Sequence, residues 1–326
     1  MPKPWIGFAI DPADKIMLLH LLVTPKDRKV VVVESVFCQT DWRETFARVL
    51  YFHYEILNVL WLPSHLAAVS VTGWDTGLVV DMGYEDATVI PVYKGVTILN
   101  ASSSHALGAK TIDKALKSSL QKNCTNAPEN VEELLTEEKI EDIRVRACFV
   151  SNKPERAKAF RFEINGDHFL EFDGVAREAA AEVLFQNDDL DGESIPRMVL
   201  ESLAKCPLDT RKPLARSILV IGGTSMIPGF TKRLLKDLTE LTAEKNEDVM
   251  EPTEYRAFNL PTKENCVAWL GGSIYGATEA TNIRGFTKEY FLKTGVVPDW
   301  SNLAHNSFKG FLSGTSTPTA SPSKSL

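Results

Sequence analysis

The stretch Ile218–Phe230, ILVIGGTSMIPGF, constrains this chain more than any other. Ile218 to Ile221 form an unbroken apolar run, which predicts a buried strand. Gly222 and Gly223 end it, because glycine passes freely through positive φ and lets other atoms approach the backbone. Thr224 and Ser225 are placed to cap a following helix, and Pro228 suits its first turn. Phe230, Leu234, Leu235 and Leu238 then share one helical face, with Lys232, Arg233 and Lys236 on the other. Strand, glycine turn and helix start together form a place where backbone N–H groups can meet a phosphate or a nucleotide edge. The plainer role of such a turn is to make room for packing.

Upstream, Val30 to Val33 read as a buried strand, and Asp41 and Glu44 have the spacing of a capping box. That box would start a helix bearing Phe46, Val49, Leu50 and Tyr54. Val59–Leu62 is a short apolar run ended by Pro63, and Ser64–Val71 reads as a helix ending near Gly73. Leu78–Asp81 and Thr88–Val92 read as strands around a polar turn. The segment from Asn123 to Asp142 is acidic and helical in character, which describes a solvated face. Phe160–Phe172 alternates about Asn165-Gly166-Asp167, a hairpin signal. Helices follow at about 176–186 and 195–205. Strands alternating with helices predict an α/β fold layered on a mixed sheet.

The 326 residues suffice for one large or two medium domains. A net charge of −7 argues against a nucleic-acid binder, which would carry a basic face. The cysteines, at 38, 124, 148, 206 and 266, form no CxxC pair and read as reduced thiols. No apolar run reaches membrane-spanning length, so no membrane insertion is expected. No Ser/His/Asp triad, zinc spacing or GxxxxGK[ST] loop is visible. His65 reads as a structural residue on a helix. Trp269, with Gly271 and Gly272, reads as helix packing in the core.

Several stretches resemble the actin family in the same order along the chain. They are Leu78–Gly95 (LVVDMGYEDATVIPVYKG), Leu184-Phe185-Gln186, Cys206–Leu214 (CPLDTRKPL), the glycine turn itself and Val267–Ile274 (VAWLGGSI). CPLDTRKPLA, ENCVAWLGGSIYGA and KEYFLKTGVVPDW are more similar to the actin-related branch at the pointed end of dynactin than to conventional actin. The resemblance runs from about Leu21 to Trp300. It implies an actin-like fold of the ribonuclease H and Hsp70 ATPase type. The expected division is 1–20 unassigned, 21–107 the remainder of a first half, 108–262 a second half, 263–305 a return to the first, and 306–326 a disordered Ser/Thr/Pro-rich tail. Nothing before Leu21 resembles the family's first phosphate hairpin or the small insertion that follows it. The chain is therefore expected to lack those N-terminal strands and that lobe, either as an incomplete gene product or isoform, which the still apolar Val30–Val33 favours, or because the lineage lost the region.

Actins hydrolyse ATP in a cleft between two halves, holding the phosphates on two glycine-rich hairpins and the metal on acidic residues through water. On the resemblance, the residues retained for nucleotide are Asp81, Gly83, Gly108, Arg144, Gly222, Gly223, Thr224 and Met226. Asp81 serves either the metal or, as a strand-end carboxylate, the turn. The departures fall on the phosphate side. Tyr84 and Glu85 stand where actin has Asp and Gly, so a bulky residue and a negative charge occupy the phosphate approach. Ser64 replaces the Gln that orients water, Thr88 replaces a His, and the Arg-Asp pair expected after Gly108 is absent. Val145 replaces a ribose-contacting Glu, and Ile227 an adenine-stacking Tyr. No catalytic residue and no direct metal ligand is expected; ATP or ADP would serve only as a structural ligand in a full-length form. The resemblance implies a cytoplasmic, cytoskeletal subunit of dynactin. It would cap the pointed end of the actin-like filament, contact filament and pointed-end subunits, and serve dynein indirectly. The alternatives are an actin-fold ATPase and a nuclear actin-related subunit of a chromatin remodeller.

Overall fold

The computed structural model describes residues 6–8, 26–123, 135–151, 159–165, 168–172, 174–186, 193–244 and 254–297. The expected tail, most of the acidic 123–142 segment and the Gly166-Asp167 turn fall wholly or partly outside them. The chain packs as two compact units, one formed by Met1–Ala67 with Gly272–Leu326, the other by Ala68–Gly271.

The first unit is built on a sheet of β1 (Ile6–Phe8), β2 (Lys29–Glu34), β3 (Asn58–Pro63) and β11 (Phe286–Thr287), in that order. β1 and β3 flank β2 in parallel, and β11 closes the edge antiparallel to β3. β1 is a strand in a segment that has no readable pattern, and it gives Val30–Val32 a neighbour. Val30 and Val32 pack with Val59, Trp61, Tyr51 and Phe291, while Val31 and Val33 pack with Leu60, Leu62 and Ala67. Both faces of β2 are thus covered, which is why its sequence is continuously apolar rather than alternating. Gly272, in the later helix, is close against Val33: a Cβ there would lie 2.5 Å from Val33 Cγ2.

Helix α1 (Thr40–Arg48) runs on into a wider π-type turn at Val49–His53. The expected capping box is not formed. The helix starts after Gln39, whose side chain makes no cap, and Asp41 sits inside the first turn where its charge favours the positive helix end. Leu50 is buried, Phe46 and Tyr54 pack partly against it, and Val49 faces solvent.

The second unit carries the sheet β10 (Ile218–Ile221), β4 (Gly77–Met82), β5 (Ala87–Tyr93), β6 (Val96–Thr97), with β7 (Ser103–His105) also on β5. Its helices are α3 (Ala109–Asn123), α4 (Glu137–Ala147), α5 (Gly174–Glu182), α6 (Ile195–Lys205), α7 (Leu208–Ala215) and α8 (Phe230–Glu244). A hairpin of β8 (Phe160–Asn165) and β9 (His168–Phe172) stands as its own two-stranded sheet. Leu78, Val80 and Met82 of β4 enter one core with Ile112, Leu116, Met198, Leu203, Phe230 and Leu234. Helix α2 (Ser64–Val71) and helix α9 (Val267–Gly276) carry the chain from one unit to the other.

The compact units divide the chain at Ala67/Ala68 and Gly271/Gly272, with β4 to β7 in the second, where β4 hydrogen-bonds β10. One expectation is corrected here. Trp269 is 41% exposed rather than in the core.

One buried ion pair ties α1 to the end of β2. Arg43 Nε lies 3.1 Å from Glu34 Oε2, with 1% and 2% of the two side chains exposed, and Arg43 Nη2 donates to the Cys38 carbonyl at 2.8 Å. Removing one partner strands the other charge in a medium that cannot hydrate it. Arg43→Met is therefore expected to cost about 3–5 kcal/mol of stability. Adding Glu34→Leu should restore much of that loss. Urea unfolding of both variants checks it; a single-variant cost near that of a surface pair, about 0–1 kcal/mol, would disprove the account.

Candidate functional site

β4 and β10 run parallel in the register Leu78↔Ile218 to Asp81↔Ile221, so both strands end at one edge of the second unit. Two glycine turns follow, one from each strand. Gly222 has φ +92°, and a Cβ on it would lie 2.3 Å from the Met82 carbonyl oxygen and 2.8 Å from Asp81 Oδ1. No other residue combines that backbone conformation with that clearance. Gly223 faces open space. Gly222 N donates to the Glu264 carbonyl at 3.1 Å, which anchors the turn to the segment leading into α9.

Thr224 and Ser225 do not cap α8 as expected. They form a short 3₁₀ turn, in which Thr224 Oγ1 donates to the Gly83 carbonyl at 2.7 Å and Ser225 Oγ to the Gly222 carbonyl at 2.7 Å. Pro228 precedes the helix, and its carbonyl accepts from Val150 N at 2.8 Å. The start of α8 thus packs on Val150, while the turn at Gly222–Thr224 packs on Gly83.

The β4–β5 turn closes through Gly83 N donating to the Asp86 carbonyl at 2.9 Å. Its carbonyls point to helix α3: Ala109 N donates to Gly83 O at 3.2 Å and Lys110 N to Tyr84 O at 2.8 Å. These bonds satisfy two of the N–H groups that every helix start leaves open. Gly108 permits the approach, since a Cβ there would lie 2.2 Å from Tyr84 O. Across the same junction, Lys110 Nζ bonds Glu85 Oε1 at 2.9 Å.

Six of the eight expected residues meet here: Asp81, Gly83, Gly108, Gly222, Gly223 and Thr224. Met226, two residues beyond Thr224, is 39% exposed. Arg144 is engaged elsewhere, with its Nε on Asp113 Oδ1 at 2.6 Å and Nη2 3.7 Å from Glu141. Sequence patterns did not reveal Asp113 or the Glu264 carbonyl, because each acts through a partner distant in the chain, nor Asp86, whose carbonyl closes its own turn on Gly83. Among the described residues no group of three or more His, Cys, Asp or Glu could hold a metal ion.

Gly223 faces open space and Met226 is part-exposed, so the outer side of the Gly222–Met226 turn is uncovered. Glu85, on the facing Gly83–Asp86 turn, is held by Lys110, and the carbonyls of Gly83 and Tyr84 are taken by α3 and Thr224.

Burial, with the neighbouring Asp86 carboxylate, pushes Asp81 from the usual 3.8 up to about 6. An acid whose pKa is raised by folding is destabilising once ionised. Its contribution is therefore favourable below pH 3.8 and is lost as the pH rises through 6. Asp81→Asn is expected to gain about 2 kcal/mol at pH 7 and little at pH 4. Urea melts at the two values check this, and a loss of stability at pH 7 would contradict it.

The family profile described as Actin matches residues 14–296, beginning upstream of the first residues whose resemblance was readable. Actin-related protein 10 of Dictyostelium discoideum is 28% identical over 361 residues, covering 94% of this chain and 76% of that protein. With the mixed sheet and its paired glycine turns, the match over most of its length shows that this chain belongs to the actin family.

Proposed function

We propose that the protein is a non-catalytic structural subunit of dynactin, placed at the pointed end of its actin-like filament and supporting dynein-driven transport along microtubules in the cytoplasm. The observation that carries the non-catalytic part is the Gly83–Asp86 turn. Phosphoryl transfer depends on positioning and on stabilising charge around the phosphates. Here the turn presents the Glu85 carboxylate, and Asp81 and Asp86 add negative charge behind it. Ser64 and Thr88 supply neither the amide nor the imidazole that the family uses at those positions. The similarity to Actin-related protein 10, and the stretches CPLDTRKPLA and KEYFLKTGVVPDW, support the dynactin assignment. No helix among the described residues is long and apolar enough to cross a membrane.

A subunit of a filament joins its neighbour by a heterologous contact, one face against a different face. The second unit has a suitable face at the end of its sheet opposite the glycine turns. There Gly77 opens β4 beside Val92 near the end of β5, and Gly95 N donates to the Asp75 carbonyl at 2.6 Å. Trp74 and Val96, at this end, are 67% and 66% exposed. A large exposed Trp is the kind of residue that dominates protein interfaces.

Two measurements test the proposal. Purified protein should release phosphate from ATP no faster than buffer does, and a turnover abolished by Asp81→Ala would sink the non-catalytic assignment. Tagged protein recovered from cytosol should sit as one copy at the pointed end of short filaments when imaged. Trp74→Glu should weaken that recovery at least about thirtyfold without altering the thermal melt. Copies spaced along the filament would refute the pointed-end role.

A further inference from the structure

Two of the positions at which the chain departs from the actin pattern, Glu85 and Lys110, are bonded to each other. One lies on the β4–β5 turn and the other on the first turn of α3, twenty-five residues later. The contact is 2.9 Å, and both side chains are mostly exposed, at 71% and 63%. Neither contributes to the core, so the pair is free to serve the turn rather than the fold.

We propose that Glu85 is an internal stand-in for a ligand anion: by holding Lys110 it keeps polyphosphate out of the Gly83–Asp86 turn, and Lys110 is a latent phosphate ligand beneath it. This rests on the non-catalytic function inferred above and deepens it, by naming the residue that closes the site. The charges around the turn support it. Lys110 is held protonated first by Glu85, with Tyr84 and Glu137 adding to the effect, and Glu85 is held ionised by Lys110. A polyphosphate approaching the turn would therefore meet a carboxylate already on the only cation bonded to the turn's side chains among the described residues. The backbone frame beneath is intact, since the bonds from Ala109 N, Lys110 N and Thr224 Oγ1 use main-chain carbonyls and not the side chains at 84 and 85. Neutralising Glu85 removes repulsion and leaves the ammonium group at most a neutral acceptor, which an anionic phosphate oxygen outcompetes.

The experiment uses inorganic tripolyphosphate as the probe, titrated calorimetrically into the full chain at low salt. Glu85→Gln should bind it at least about tenfold more tightly than the parent, as expected for removing one unit charge beside a multiply charged ligand. Lys110→Ala alone should show no gain, and Glu85→Gln with Lys110→Ala should fall back to the parent's affinity. Equal affinity in Glu85→Gln and the parent, or a gain that survives loss of Lys110, would overturn the proposal. Thermal melts of all four proteins confirm that each is folded. Tripolyphosphate binding is independent of ATP turnover and of filament placement. A failed latch therefore leaves the structural role standing, and turnover by the parent counts against that role without touching the latch measurement.

Discussion

The parallel pairing of β10 with β4 is the constraint on which the rest of the second unit depends. Four residue pairs in register, from Ile218↔Leu78 to Ile221↔Asp81, bring two segments far apart in sequence to the same edge. Parallel neighbours cannot be joined by a short turn; they need a long crossover, here one that includes α3 to α7. Once the register is set, Gly222 lands against Met82 and Asp81, and Thr224 reaches Gly83. The site is thus a consequence of strand pairing before it is a matter of side-chain chemistry.

Much of the fold was legible because burial on both sheet faces leaves a continuous apolar run. Val30–Val33, Val59–Leu62, Leu78–Asp81 and Ile218–Ile221 all form strands, and the helix at 195–205 falls where its apolar spacing placed it. The failures share a cause. Thr224 could cap a helix or reach across to another loop, and both uses look the same in sequence; the tertiary bond to Gly83 prevailed. Asp41 and Glu44 have capping spacing, but the helix starts two residues earlier, after Gln39, and takes Asp41 into its first turn. That β4 pairs with β10 could not be read locally, because the two strands lie far apart in sequence. β1, a three-residue strand, is too short to carry periodicity.

Of the site, the glycines were legible and the polar partners were not. Gly222 and Gly108 are required because an added Cβ would lie 2.3 and 2.2 Å from a neighbouring carbonyl oxygen, a demand so strict that it leaves a mark in the sequence. Arg144 shows the opposite case. Its type suits a nucleotide, but Asp113, on α3, takes the guanidinium in a largely buried pair. A charge in that setting is held by whichever partner lies nearest, and nothing in the local sequence names Asp113.

The division between what is kept and what is changed follows from which atoms hold the turn. The β4–β5 turn is fastened to α3 and to Thr224 through the carbonyls of Gly83 and Tyr84. Main-chain acceptors are present whatever the side chain, so positions 84, 85 and 110 can vary without loosening the frame. Gly83, Gly108 and Gly222 cannot vary in that way, because added atoms would enter the neighbouring backbone. Substitution on such a frame therefore reaches ligand chemistry first and the fold last. In this chain the side chains at 84, 85 and 110 set the charge beside the turn, while Gly83, Gly108 and Gly222 set its path, so the two properties are fixed by different residues.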